Sequence, residues 1–146
     1  MPVVKIKKID ESAVVPSYGS DFAAGADLYA VANEPIEILP HETAMIHTGL
    51  CIEVPEGYAG LVYARSGIAS KRGLAPANKV GVIDADYRGE IMVALHNHSN
   101  MAQTIESGER IAQLVITPFL RADFCVADEL SDTVRGEGGF GSTGRK

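Results

Sequence analysis

A chain of 146 residues has room for one domain, and 46% hydrophobic residues is a globular composition, able to bury roughly two-thirds of its unfolded surface. Nineteen acidic against 13 basic residues leave a net charge of −6, which disfavours polymeric nucleic acid, because phosphate binding draws on a basic excess. No apolar run approaches the roughly 18 residues of a membrane span, and Met1-Pro2-Val3-Val4-Lys5 has no signal-peptide character, so neither a membrane nor a secretory role is expected.

In chain order, Val4-Lys5-Ile6-Lys7 alternates apolar and charged residues, as does Ile36-Glu37-Ile38 between Pro35 and Pro40. Residues 45–54, 58–64, 79–83, 90–97, 110–116 and 124–127 continue the strand pattern. Turn signals separate them at Pro55-Glu56-Gly57, Tyr87-Arg88-Gly89 and Ser107-Gly108-Glu109. Short strands at regular spacing, with little helical periodicity, predict an all-β sandwich or barrel of the jelly-roll kind. Cys51 and Cys125 lie in unlike contexts without metal-type spacing, and both read as reduced core thiols of a cytoplasmic protein.

One segment breaks the β rhythm. Ser66 can cap a two-turn helix that Lys71 and Arg72 suit at its last turn and Gly73 closes. Its start, beside Arg65, offers free N–H groups to an anion, or it is only a capped surface turn. The tail from Arg135 carries five glycines between Gly136 and Lys146 around a lone Phe140. Such a composition is either disordered or able to close over a ligand, stacking a ring and wrapping donors around phosphates. It is no Walker A loop.

The densest polar cluster is Gly81-Val82-Ile83-Asp84-Ala85-Asp86-Tyr87-Arg88-Gly89-Glu90. On an extended segment Asp84 and Asp86 face one side, where paired carboxylates hold a metal or supply a base; otherwise the segment is a solvated turn. Asp27 is a lone carboxylate among small residues. His96 and His98 share a strand face as a metal pair would, without an evident third ligand, and a structural or surface role competes.

Five ordered segments carry a resemblance that none carries alone. Ala24-Gly-Ala-Asp-Leu-Tyr29, Ala64-Arg-Ser-Gly-Ile-Ala69, Gly81 to Glu90, Gly108-Glu-Arg-Ile-Ala-Gln-Leu114 and Arg135 to Gly144 resemble the motifs of trimeric dUTPase, deoxyuridine 5′-triphosphate nucleotidohydrolase. The likeness runs from about residue 20 to the C-terminus, and the third and fifth segments are the most specific. Ala64 departs from it, since the family often has Pro there, but no ligand group is lost.

The resemblance implies a jelly-roll-like β domain over residues 1–127 and a C-terminal arm over 128–146, in a homotrimer with active sites between subunits. It implies hydrolysis of dUTP to dUMP and pyrophosphate, which limits uracil incorporation into DNA and supplies dUMP for dTMP synthesis. Asp84 matches the general base for in-line attack of water on the α-phosphorus, its pKa expected to be raised by burial or by Asp86. Arg65, Ser66, Gly67 and Gln113 match phosphate contacts, and Asp27 a residue holding waters of the metal shell. Asn78, with Gly81, Val82 and Ile83, matches a uracil-reading hairpin, and Tyr87 a platform under the deoxyribose that excludes a 2′-hydroxyl. Phe140 would stack on uracil, while Arg135, Gly141, Ser142 and Thr143 close on the phosphates. Mg²⁺ would ride chiefly on triphosphate oxygens and water. Two alternatives share the scaffold: a dCTP deaminase, disfavoured by the Asp-x-Asp-Tyr-Arg-Gly hairpin and the glycine-rich arm, and a non-enzymatic binding protein, disfavoured by the complete set of polar motif residues.

Overall fold

In the computed structural model, residues 1–140 are described. Among them, eleven strands and one helix follow in chain order. They are β1 (Lys5–Lys8), β2 (Ser17–Tyr18), β3 (Ala26–Tyr29), β4 (Ile36–Ile38), β5 (Thr43–Glu53), β6 (Tyr58–Tyr63), α1 (Ser66–Arg72), β7 (Leu74–Pro76), β8 (Gly81–Ile83), β9 (Glu90–Asn97), β10 (Gln103–Ile105) and β11 (Arg110–Pro118). The paired strands form a four-stranded sheet β1-β5-β9-β7, a five-stranded sheet β2-β3-β11-β6-β8 and a small ribbon β10-β4. Every pairing is antiparallel, and non-sequential neighbours give the jelly-roll-like sandwich expected from the sequence.

Alternation builds the core. Along β9, Ile91, Val93, Leu95 and Asn97 are buried, while their neighbours Met92, Ala94 and His96 face outward. Ile46 and Ile52 of β5 meet Leu28, Val62, Ile111 and Leu114 of the other sheet in one cluster, with Ile38 and Ile105 of the ribbon. Buried Asn97 is fully used: Nδ2 donates to the Ile38 and Met101 carbonyls, and Oδ1 accepts from Ser99 N and Oγ. It thereby ties the 97–101 turn to β4.

Several expectations need correction. Residues 124–127 form no strand, because β11 ends at Pro118 and residues 119–137 are exposed without helix or strand. Cys125 is accordingly exposed rather than a core thiol, whereas Cys51 is half-buried, and both are free. The strand expected over 79–83 begins only at Gly81, after Lys79 turns the chain at φ 65°. Ser66 is the first helical residue and not the cap. The cap position is Arg65, whose side chain makes no capping bond, because it is turned to Asp27 instead.

Candidate active site

The predicted residues fall into three groups. The first surrounds a cavity of about 280 Å³ where β8 and the following turn lie against the outer face of β9. Asn78, Gly81, Val82, Ile83 and Tyr87 line it. Gly81 permits a close approach, since a Cβ there would lie 3.3 Å from the Val62 side chain and 3.4 Å from the Asn78 amide. Tyr87 is folded back on its own turn: its hydroxyl donates to the Glu90 carbonyl at 2.9 Å, and any Cβ on Gly89 would collide with its ring. Asp84 to Tyr87 is a turn closed by Tyr87 N donating to the Asp84 carbonyl at 3.1 Å. Asp84 and Asp86 are therefore not two steps along an extended strand. Both side chains are exposed.

The second group gathers where β6 passes into α1. Arg65 Nε donates to Asp27 Oδ1 at 2.6 Å, and Arg110 Nη1 reaches Asp27 Oδ2 at 3.3 Å. Gln113, opposite Asp27 on β3 and Tyr63 on β6, donates from Nε2 to the Ala64 carbonyl at 2.9 Å. Gly25 makes room for it, because a Cβ there would collide with the Gln113 amide oxygen. Ser66 and Gly67 are exposed, and the space beside the Gly67 Cα is open.

Strand register separates these two groups. Asp84 follows Ile83, which pairs with Gly60 of β6, and Arg65 lies five residues beyond Gly60, two past the end of β6 at Tyr63. At about 3.3 Å per residue, the five steps from Gly60 to Arg65 span about 17 Å, and Asp84 lies one residue further the other way, for about 20 Å of chain in all. The third group is the tail. Arg135 Nε donates to the Gly138 carbonyl at 2.7 Å, and Phe140 stands fully exposed. Gly141, Ser142 and Thr143 lie outside the described residues.

The histidine pair stands apart from all three. The His96 and His98 rings meet edge to face with centroids 4.4 Å apart, and His96 Nδ1 shares a hydrogen bond with Thr43 Oγ1 at 2.8 Å. Desolvation, then the nearby charges of His96, Lys79 and His41, hold His98 below the ordinary histidine range. No three His, Cys, Asp or Glu side chains among the described residues are grouped to hold a metal ion.

Comparison with known proteins decides the family. The dUTPase family model matches residues 11–144. The chain belongs to the dUTPase family. It is 49% identical to the deoxyuridine 5′-triphosphate nucleotidohydrolase of Nautilia profundicola, over 97% of this chain and 99% of that one. The enzyme of that name from Hydrogenobaculum sp. is 48% identical over 97% of each. The dUTPase of Staphylococcus bacteriophage 80alpha, solved with dUpNHpp, superposes with a TM-score of 0.88 at 31% identity, covering 97% of this chain and 98% of that one.

Sequence reasoning missed part of the lining of the cavity at Asn78 and Tyr87. Met45 and Met92 line the cavity beside Ala94, on the outward face of β5 and β9. The signal was present in the alternation, since inward Ile46 and Val93 force Met45 and Met92 outward. Arg110 and Gly25 lie inside quoted motifs, but only pairing across β3 and β11 shows what they touch.

Proposed function

We propose that this chain hydrolyses dUTP to dUMP and pyrophosphate, in a composite site that more than one copy of the chain completes. The observation that carries the composite reading is the run of about 20 Å between Asp84 and Arg65, too long for both to reach one α-phosphorus. The cavity at Asn78 and Tyr87 takes the uracil and deoxyribose, and Asp84 at its edge orients and deprotonates the attacking water. A neighbouring copy supplies Arg65, Ser66, Gly67 and Gln113 to the phosphates. The arm, with Arg135, Phe140, Gly141, Ser142 and Thr143, closes the site from a third. A closed three-fold ring satisfies every such contact with no unpaired surface left over.

Base selection follows from space and pairing. Rejection of the thymine methyl is assigned to close packing of the base against the β8 backbone at Gly81, where even a Cβ would crowd Val62 and Asn78. Cytosine reverses the donor and acceptor pattern, leaving buried groups unpaired, which discriminates strongly. Tyr87, pinned by Glu90 and Gly89, fills the place a 2′-hydroxyl would take.

The acidic donors suit a metal carried by the nucleotide. Asp27 spends one lone pair of each oxygen on Arg65 and Arg110, and a carboxylate has about four such sites, so it can still accept a metal-bound water. Mg²⁺, when bound to the triphosphate, offsets charge that a protein of net charge −6 would otherwise repel.

The deciding assay is pyrophosphate release from dUTP, dCTP, dTTP and UTP, each with and without Mg²⁺. Fast, Mg²⁺-stimulated release from dUTP alone is expected. A folded protein silent on dUTP, or one that releases ammonia from dCTP, would overturn the reading.

A further inference from the structure

We infer that Arg72 is a positioning residue for the triphosphate: it locks α1 to β10 and to the start of β11, fixing Ser66 and Gly67 relative to Gln113. The inference rests on the reading above that these three residues contact phosphates.

The need for a lock is visible in α1 itself. Seven residues are too few for a helix to be stable alone, since nucleation is costly and few bonds follow. None of its residues is fully buried, and no side chain caps its N-terminus. Ile68 packs against the core from one side. The C-terminal end is held by its glycine cap, whose carbonyl accepts from His98 N at 2.8 Å, and by Arg72.

Arg72 meets three acceptors on two other elements. Nε donates to Gln103 Oε1 at 3.1 Å, Nη1 to Glu109 Oε2 at 2.8 Å, and Nη2 to the Thr104 carbonyl. The Glu109 carboxylate is itself held, because Oε1 accepts from Glu106 N at 3.2 Å across the turn. The Glu109 backbone is fixed too, its carbonyl accepting from Ala30 N at 2.8 Å. Glu109 immediately precedes Arg110, and Gln113 follows three residues further along β11. One planar guanidinium thus joins the end of the helix that carries Ser66 and Gly67 to the strand that carries Gln113. Three of its five N–H donors, one on each nitrogen, are held by these partners, which fixes the plane of the guanidinium. A lysine has the charge and three donors, but they radiate from one nitrogen and cannot span acceptors that three guanidinium nitrogens reach in one plane.

The test measures binding of dUpNHpp and of deoxyuridine, which has no phosphate, in wild type, Arg72→Lys, Arg72→Met, Glu109→Gln and the Arg72→Met/Glu109→Gln double variant. Arg72→Met should weaken dUpNHpp about tenfold, the scale of a lost charge-assisted bond, with deoxyuridine affinity unchanged within about twofold. Arg72→Lys should recover little of this, and the double variant should lose no more than the worse single one. Unchanged dUpNHpp binding in Arg72→Met, equal losses for both ligands, or additive losses in the double variant would each overturn the role of Arg72. Wild-type protein that binds no dUpNHpp would instead overturn the phosphate-site reading, and this inference with it.

Discussion

Gly89 and Gly81 do at the residue scale what no larger side chain could. With a Cβ on Gly89, Tyr87 must leave its bond to the Glu90 carbonyl and swing out of the cavity. Gly89→Ala should therefore relax sugar discrimination as Tyr87→Ala does, raising kcat/KM for UTP relative to dUTP. Unchanged discrimination in both variants would move that role elsewhere. Asp84→Asn should keep dUTP binding while cutting turnover by about 10²–10⁴-fold, the usual loss of a general base. Near-normal turnover would dismiss Asp84 from that role. Residue identities at this scale were legible in the sequence, because the motifs name them. Their conformation was left open between an extended segment and a solvated turn, and the Tyr87 N bond to the Asp84 carbonyl makes it a turn.

Length alone did not decide which elements were legible, since three-residue β4 shows its alternation between Pro35 and Pro40. β9 alternates plainly over eight residues, whereas β5 and β11 break their alternation at register shifts, where Thr48 to Leu50 and Ile111 with Ala112 are buried in succession. β2, β3, β7 and β10 have two to four residues each, too few to establish a period. Pro76 further disguises β7, and is tolerated there because β7 lies at a sheet edge. The stretch 124–127 shows the opposite failure: it has strand composition, but no neighbouring strand in this chain pairs with it. Helix α1 was legible from its C-terminal glycine. Gly73 adopts φ 68°, and a Cβ would also sit 3.1 Å from Ser99. Gly73→Ala should cost about 1–2 kcal/mol, read as a lowered thermal midpoint, with the larger effect on dUpNHpp affinity if the helix end shifts. A midpoint within a degree of wild type would show that the cap is easily rebuilt.

The whole molecule leaves much apolar surface uncovered in one copy. Leu120, Phe124, Val126 and Leu130 of the tail are almost fully exposed, as association surfaces are. Removing residues 119–146 should therefore weaken self-association in sedimentation, whereas removing only 135–146 should leave the oligomer intact and the hydrolysis badly impaired. An unchanged oligomer in the first case, or full activity in the second, would contradict the proposed use of the tail. The composite site admits a sharper test. Asp84→Asn chains and Arg65→Ala chains, each inactive alone, should recover about a quarter of wild-type activity when unfolded and reassembled together, because random mixing pairs an intact Asp84 with an intact Arg65 in that fraction of sites. A site contained in one chain would recover nothing.

In the proposed composite ring, the separation of Asp84 from Arg65 along β6 and β8 would also set how damage is shared. A lesion at either residue silences one site in a mixed ring, whichever chain carries it. A chain with both lesions silences two, its own and its neighbour's, and leaves a ring with two healthy chains only a third of its output. Inheritance of defects in such an enzyme would thus depend on whether two mutations lie on the same copy or on different ones.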